Sequence, residues 1–271
     1  TQGVSSAASD VYKRQEQCGI AAIAPRNPQR LDRGLTDHDL LTLGVTSHAD
    51  GHTDFGVIAS ISEGLAYRRD DDFRRITEIA CAESLQLITL TITEKGYQLN
   101  GYDGSYQDAV VKDLGRDPES DRMSTAMGLV TALLVQRFHA GATPVAVVSC
   151  DNFSHNGDML RTSVLTIAAE WEKRGVIDHR VVEWIAEKVE FPISVIDKIT
   201  PAPSQKVAEQ LAAMGLEDMG IDPDVEVAGF VNTEPAEYLV IEDRFPNGRP
   251  ELEKAGVYFT DRDTCYRCLL Y

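Results

Sequence analysis

Residues 145–158 constrain the fold more than any other stretch of the chain. Val145-Ala146-Val147-Val148 is a short apolar run with three β-branched members. It passes directly into Ser149-Cys150-Asp151-Asn152-Phe153-Ser154-His155-Asn156-Gly157-Asp158, where hydrogen-bonding groups dominate. Apolar residues at helical spacing follow at once. A buried parallel strand ends this way when its carboxyl end opens through a loop into a helix, and ligands of open α/β sheets sit at such ends. The loop carries a thiol, carboxylates, amides, an imidazole and hydroxyls. Two readings stand at this point: a plain strand-to-helix turn, or a loop that faces a ligand.

The same alternation runs along the chain. Strand character is expected over 19–24 (a short buried strand), 55–61, 85–93, 145–148, 191–196, 225–231 and 238–241. Residues 100–122, rich in Gly, Asp and Ser, read as a loop. Ser124 caps a helix running to about His139, with Met127, Val130, Leu134 and Phe138 at helical spacing and Gly141 as terminator. Asn156 caps the next helix, whose face is Leu160, Val164, Ile167 and Trp171. Asp178 caps a helix carrying Val181, Trp184, Ile185 and Lys188, and Ser204 caps one reaching about Met214. Strand, helix, strand in this rhythm implies an α/β fold with a mostly parallel sheet and helices on both faces.

Composition narrows the function classes. The 271 residues suffice for one large domain or two modest ones. A net charge of -17 argues against non-specific binding to nucleic acid or to an anionic membrane. No apolar run reaches the roughly 18 residues that a spanning helix needs. Five scattered cysteines, an odd number, fit reduced thiols and a cytoplasmic setting better than a disulfide framework.

A second constellation is Phe191-Pro192-Ile193-Ser194-Val195-Ile196-Asp197-Lys198-Ile199-Thr200-Pro201. Again an apolar strand delivers charge at its end. Asp197 and Lys198 form a surface ion pair on one reading. On the other, Asp197 lies beside the Asn152 loop, because adjacent parallel strands present their carboxyl ends on one edge. Other clusters carry less chemistry. Cys150, Asp151 and His155 supply the groups of a thiol hydrolase, but three neighbours on one loop rarely hold catalytic geometry. His48, Asp50, His52 and Asp54 flank Gly51 as a solvated hairpin would. Arg68, Arg69, Arg74 and Arg75 surround Asp70-Asp71-Asp72 at an exposed helix start. Cys265 and Cys268 supply only two of the four ligands of a zinc site, so no metal site is expected.

Ser149-Cys150-Asp151-Asn152, then Asn156-Gly157, then Phe191-Pro192 through Pro201, resembles the polyol-specific long-chain dehydrogenases. That family includes mannitol 2-dehydrogenase and the fructuronate and tagaturonate reductases. Its usual Val-Asp-Arg stands here as Ile196-Asp197-Lys198, and lysine cannot reproduce a bidentate arginine contact. Leu90-Thr91-Ile92-Thr93-Glu94-Lys95-Gly96-Tyr97 resembles the family's strand and turn near the nicotinamide. Tyr238 through Phe245, with Gly248-Arg249-Pro250 and Lys254-Ala255-Gly256-Val257, resembles the segment before its helical domain. The resemblance covers about residues 16–260.

The resemblance implies a Rossmann-like domain, incomplete at both ends, that transfers hydride between NAD and a secondary alcohol without zinc. NADP stays open, because Arg26, Arg30 and Asp32 stand where the family often has an acidic residue. The substrate is then a small polyol or sugar acid: mannitol and fructose first, mannonate and fructuronate second. A non-catalytic ligand-binding module is the reading from another class. Asn152 matches one of two asparagines that hydrogen-bond the substrate oxygen. Asp197, with Lys198, matches the substrate region or its surround. Thr93, Glu94, Lys95 and Cys150 match the cofactor cleft.

The family continues into Lys-x-x-x-x-Asn-x-x-His, which holds the general base, and this sequence contains no such pattern, nor any Gly-x-Gly-x-x-Gly. The two ends resemble translated sequencing adapters. The expectation is therefore an inactive interior piece of a longer enzyme: a non-native extension over 1–15, a partial dinucleotide-binding domain over 16–235, the start of the helical domain over 236–262, and a non-native tail over 263–271.

Overall fold

The computed structural model describes residues 19–198, 200–235 and 238–268. In chain order the elements are β1 (Ile20–Ala24), α1 (Pro28–Gly34), β2 (Thr42–Ser47), β3 (Thr53–Ile58), β4 (Ile61–Ala66), α2 (Asp70–Cys81), β5 (Leu87–Leu90), α3 (Asp108–Leu114), α4 (Ala126–His139), β6 (Ala146–Ser149), α5 (Asn156–Lys173), α6 (His179–Lys188), β7 (Ser194–Asp197), α7 (Gln205–Ala213), β8 (Phe230–Thr233), β9 (Tyr238–Glu242), β10 (Val257–Thr260) and α8 (Arg262–Cys268). Strands and helices alternate and parallel pairs outnumber antiparallel ones, which makes the fold α/β and Rossmann-like. Among the described residues no helix is long and apolar enough to cross a membrane.

The chain forms two compact units, residues 1–76 with 198–237 and residues 77–197 with 238–271. In the first, β1 pairs parallel with β4, and β2 lies between antiparallel β3 and parallel β8. Its core is Val45, Ala208, Leu211, Ala228 and Phe230. In the β2–β3 hairpin His48 donates its backbone N–H to His52 O at 2.8 Å. Both imidazoles contact the Asp54 carboxylate, at 2.8 and 2.9 Å. Arg69 donates to Asp32 at 3.1 Å, and that pairing holds the Asp32 carboxyl below the usual carboxylate range.

The second unit carries the larger core. Met127, Val130 and Leu134 of α4, Leu160, Val164, Ile167 and Trp171 of α5, and Val181 and Ile185 of α6 close around β6. Burying such side chains contributes about 1.5–3 kcal/mol each. Two buried charges organise this packing. The Asp113 carboxylate accepts the backbone N–H of Ser124 at 2.7 Å and of Thr125 at 2.8 Å, so it caps the start of α4 from α3. Arg137 is fully buried and donates to the carbonyls of Ala80, Ala82, Leu85 and Thr143. β5 pairs parallel with β6, β7 pairs antiparallel with β9, and β9 pairs parallel with β10. A parallel bridge from Ala146 to Glu190 brings the segment before β7 alongside β6.

Several sequence expectations change. The strands fall into four small ladders rather than one continuous sheet. The expected buried strand at 19–24 is β1, but Ile20 and Ile23 are 48% and 38% exposed. Residues 55–61 divide into the end of β3 and the start of β4. The 100–122 loop contains α3, whose Val110 and Leu114 enter the core. The cap of α4 is Thr125, whose hydroxyl accepts Gly128 N–H at 2.9 Å, in place of Ser124. The residue before α5 is His155, at φ +60°, and Asn156 is turned inward. Residues 262–268, part of which was expected as a tail, form α8, and its Cys265 is buried against Ile193, Val195 and Val240. The expectation for residues 1–15 lies outside the described residues.

Candidate functional site

Three strand ends of the second unit meet around Asn152. β5 and β6 run in register from Leu87 beside Ala146 to Leu90 beside Ser149, and Cys150 N–H extends the ladder by donating to Leu90 O at 2.7 Å. The carboxyl ends of these strands therefore lie side by side. The chain leaves β5 through Thr93 and a 3₁₀ turn over Glu94–Gly96, with the Thr93, Glu94 and Lys95 side chains exposed. It leaves β6 through the 150–155 loop.

The end of β7 joins them through one buried amide. Asn156 is fully buried, and its Nδ2 lies within hydrogen-bond reach of Ser149 O (3.2 Å), Asp151 O (3.1 Å) and Ser194 O (3.1 Å). Its Oδ1 accepts the backbone N–H groups of Gly157 (2.8 Å) and Ser194 (3.1 Å). Ser194 Oγ also donates to Ser149 O. Gly157 allows this closeness: a Cβ there would lie 2.5 Å from Phe191 O and 2.8 Å from Pro192 O. The Asn156-Gly157 and Phe191-Pro192 pairs are thus two sides of one contact.

Asn152 stands on this base. Its side chain is exposed, and its Oδ1 accepts Ile196 N–H at 3.2 Å. A backbone N–H only donates, so this bond fixes which way the amide faces and turns the NH₂ away from β7. Asp197, the next residue after Ile196, is exposed at the end of β7 opposite Tyr238. The structure therefore brings Asn152 and the end of β7 together and sets the 93–95 turn on the neighbouring strand end. Lys198 follows Asp197 in sequence but is assigned to the first compact unit.

Cys150 is half-buried. Burial, with the Asp151 carboxylate beside it, pushes its thiol up to about 11. A thiol held that high is a poor nucleophile. His155 is turned toward Tyr266, whose hydroxyl lies 2.9 Å from Nδ1. A thiol hydrolase arrangement is absent from this loop.

Sequence reasoning did not assign Tyr97 or the inward role of Asn156. The Tyr97 hydroxyl is buried, donates to Asp151 Oδ2 and contacts Ser149 Oγ. Burial and the Asp151 carboxylate both raise its pKa and keep the phenol protonated. Its sequence signal was its place at the end of the Leu90–Tyr97 segment, immediately after the turn that leaves β5.

Three comparisons bear on this arrangement. The sequence model of the family described as Mannitol dehydrogenase Rossmann domain matches residues 13–254. The D-mannonate oxidoreductase of Thermotoga maritima is 42% identical over 256 residues, which cover 92% of this chain and 47% of that protein. The mannitol 2-dehydrogenase of Pyrenophora tritici-repentis is 33% identical over 245 residues, 89% of this chain and 39% of that protein. Among solved structures, the Pseudomonas fluorescens mannitol 2-dehydrogenase in ternary complex with NAD and D-mannitol superposes with a TM-score of 0.72 at 31% identity. That match covers 91% of this chain and 47% of the other. The chain spans about half the length, or less, of these relatives.

Proposed function

From the chain's membership in the mannitol dehydrogenase family, matched over residues 13–254, we infer that the strand-end edge around Asn152 is one wall of the hydride-transfer site of an NAD-linked oxidoreductase. Its substrate is a small polyol or sugar acid. The observation that carries this reading is the orientation of Asn152, whose Oδ1 accepts Ile196 N–H and whose NH₂ is thereby turned away from β7. A donor that does not titrate suits a developing alkoxide or carbonyl oxygen at any physiological pH.

The exposed Thr93, Glu94 and Lys95 fit the nicotinamide side of a cofactor cleft, because they stand on the strand end next to Asn152. NAD, when bound, accepts or supplies the hydride. Asn152 holds the substrate oxygen, and Asp197 at the end of β7 accepts from a neighbouring substrate hydroxyl. Lys198 follows Asp197 in the substrate region. Cys150 contributes its backbone and half-buried thiol to the cofactor wall.

Mannonate is the substrate supported by the 42% identity to the Thermotoga maritima D-mannonate oxidoreductase. Mannitol, favoured by the sequence motifs, is supported by the likeness to mannitol 2-dehydrogenases. The Lys-x-x-x-x-Asn-x-x-His pattern expected to hold the general base does not occur in these 271 residues, and on this reading they bind the ligands without turning them over. Assaying NAD- and NADP-dependent oxidation of mannonate and mannitol tests this. No turnover is the expected result, and robust activity would refute the assignment of the base to a later motif.

A further inference from the structure

We propose that Tyr97 is a positioning residue for Asn152, gripping both of the residues that flank it. The inference rests on the reading of Asn152 as a substrate-oxygen donor. On one side the Tyr97 hydroxyl donates to Asp151 Oδ2. On the other, the Tyr97 ring stacks on Phe153, with centroids 6.1 Å apart and planes 26° apart. Asp151 Oδ1 in turn accepts Phe153 N–H at 2.9 Å, which closes a small ring of contacts around residue 152. Tyr97 is itself held from below, since Ser163 Oγ of α5 donates to Tyr97 O at 2.8 Å.

The geometry accounts for how an exposed side chain is kept in one orientation. Among the described residues the Asn152 side chain makes one hydrogen bond, accepting Ile196 N–H at 3.2 Å. A lone neutral bond to an exposed amide contributes little against rotamer freedom. The backbone on either side must therefore be fixed for that bond to persist. Asp151 is fixed by Tyr97 and by Asn156, and Phe153 is fixed by Asp151 and by the Tyr97 ring. A phenol is suited to this role, because it offers a flat apolar face and one strong donor from a buried position. Charge-assisted hydrogen bonds to a carboxylate are about twice as strong as neutral ones.

Two backbone amides report the arrangement directly. Phe153 N–H reports the Asp151 carboxylate, and Ile196 N–H reports the Asn152 carbonyl. Amide hydrogen exchange of the whole chain, compared with that of Tyr97→Phe, reads both. The substitution keeps the ring and removes only the hydroxyl. The expected result is faster exchange at Phe153 and Ile196 together, by about tenfold or more. Val147 N–H, bonded to Glu190 O at 2.9 Å, keeps its rate. A purely structural role for Tyr97 predicts faster exchange throughout, Val147 included, and that result overturns the proposal, as does unchanged exchange at Ile196. Asp151→Asn is the second variant, and it is expected to open the same two amides. Should Asp151→Asn open them while Tyr97→Phe does not, the proposal is also overturned. Exchange needs no ligand, whereas the role of Asn152 is read by ligand titration, so the two readings fail separately.

Discussion

Asn152 accepts the backbone N–H of Ile196 at 3.2 Å, across the junction between the ends of β6 and β7. The bond joins residues 44 positions apart in sequence. On the proposed reading the bond also sets the chemistry of the site, because it uses the amide oxygen internally and leaves the NH₂ for a ligand. The junction beneath it is polar and buried, and its energetics can be tested one group at a time.

Asn156→Ala removes the amide that ties β6, α5 and β7 together. Two backbone N–H groups and three carbonyls lose a buried partner. Unsatisfied buried groups cost about 1–3 kcal/mol each, and neighbours in one network relax jointly. A loss of about 3 kcal/mol in urea denaturation is expected, with an unchanged slope.

Gly157→Ala places a methyl group against two backbone carbonyls of the Phe191-Pro192 segment, at 2.5 and 2.8 Å. Alanine favours a helix over glycine by about 1 kcal/mol, but overpacking against backbone costs about 1–3 kcal/mol. The clash is expected to win, so thermal denaturation should show a lower midpoint despite the better helix former.

Arg137→Met keeps the apolar stem and deletes a guanidinium that is fully buried and donates to four carbonyls. Those acceptors are then left in an apolar interior. A loss on the order of 3 kcal/mol is expected from denaturant unfolding.

The Cys150 thiol is raised from an ordinary value near 9 to about 11 by burial and by Asp151. Burial favours the protonated form, so its contribution to stability is complete below about pH 9 and is lost as the pH rises through about 11. Alkylation of Cys150 by iodoacetamide, followed by peptide mass spectrometry, should be slow at pH 7–8 and rise toward pH 11. Fast labelling at neutral pH would contradict the assignment.

The strand at 145–148 and the buried face of α5 were legible because their signals are local. Four consecutive apolar residues mark a strand buried on both faces, and Leu160, Val164, Ile167 and Trp171 repeat at the helical period. Asp178 was legible as a cap for the same reason, and its carboxylate accepts Arg180 N–H at 2.8 Å. The helix α3 was hidden because the Gly, Asp and Ser residues before and after it dominate the window. Asn156 was misread because a helix cap and an inter-strand clamp ask for the same residue type. Only its partner Ser194, 38 positions away, separates the two roles. The juxtaposition of Asn152 with the end of β7 came from family resemblance and parallel-sheet topology, since no local pattern encodes a contact over that distance.

The most direct test of the central claim is an NMR titration of the intact chain with NAD, followed by mannonate or mannitol. NAD is expected to shift the amide signals of Thr93, Glu94 and Lys95 in a saturable way. The second ligand is then expected to shift the Asn152 side-chain NH₂ and Asp197. Saturable binding that leaves residues 93–95 and Asn152 unmoved, or no nucleotide binding at all, would contradict it.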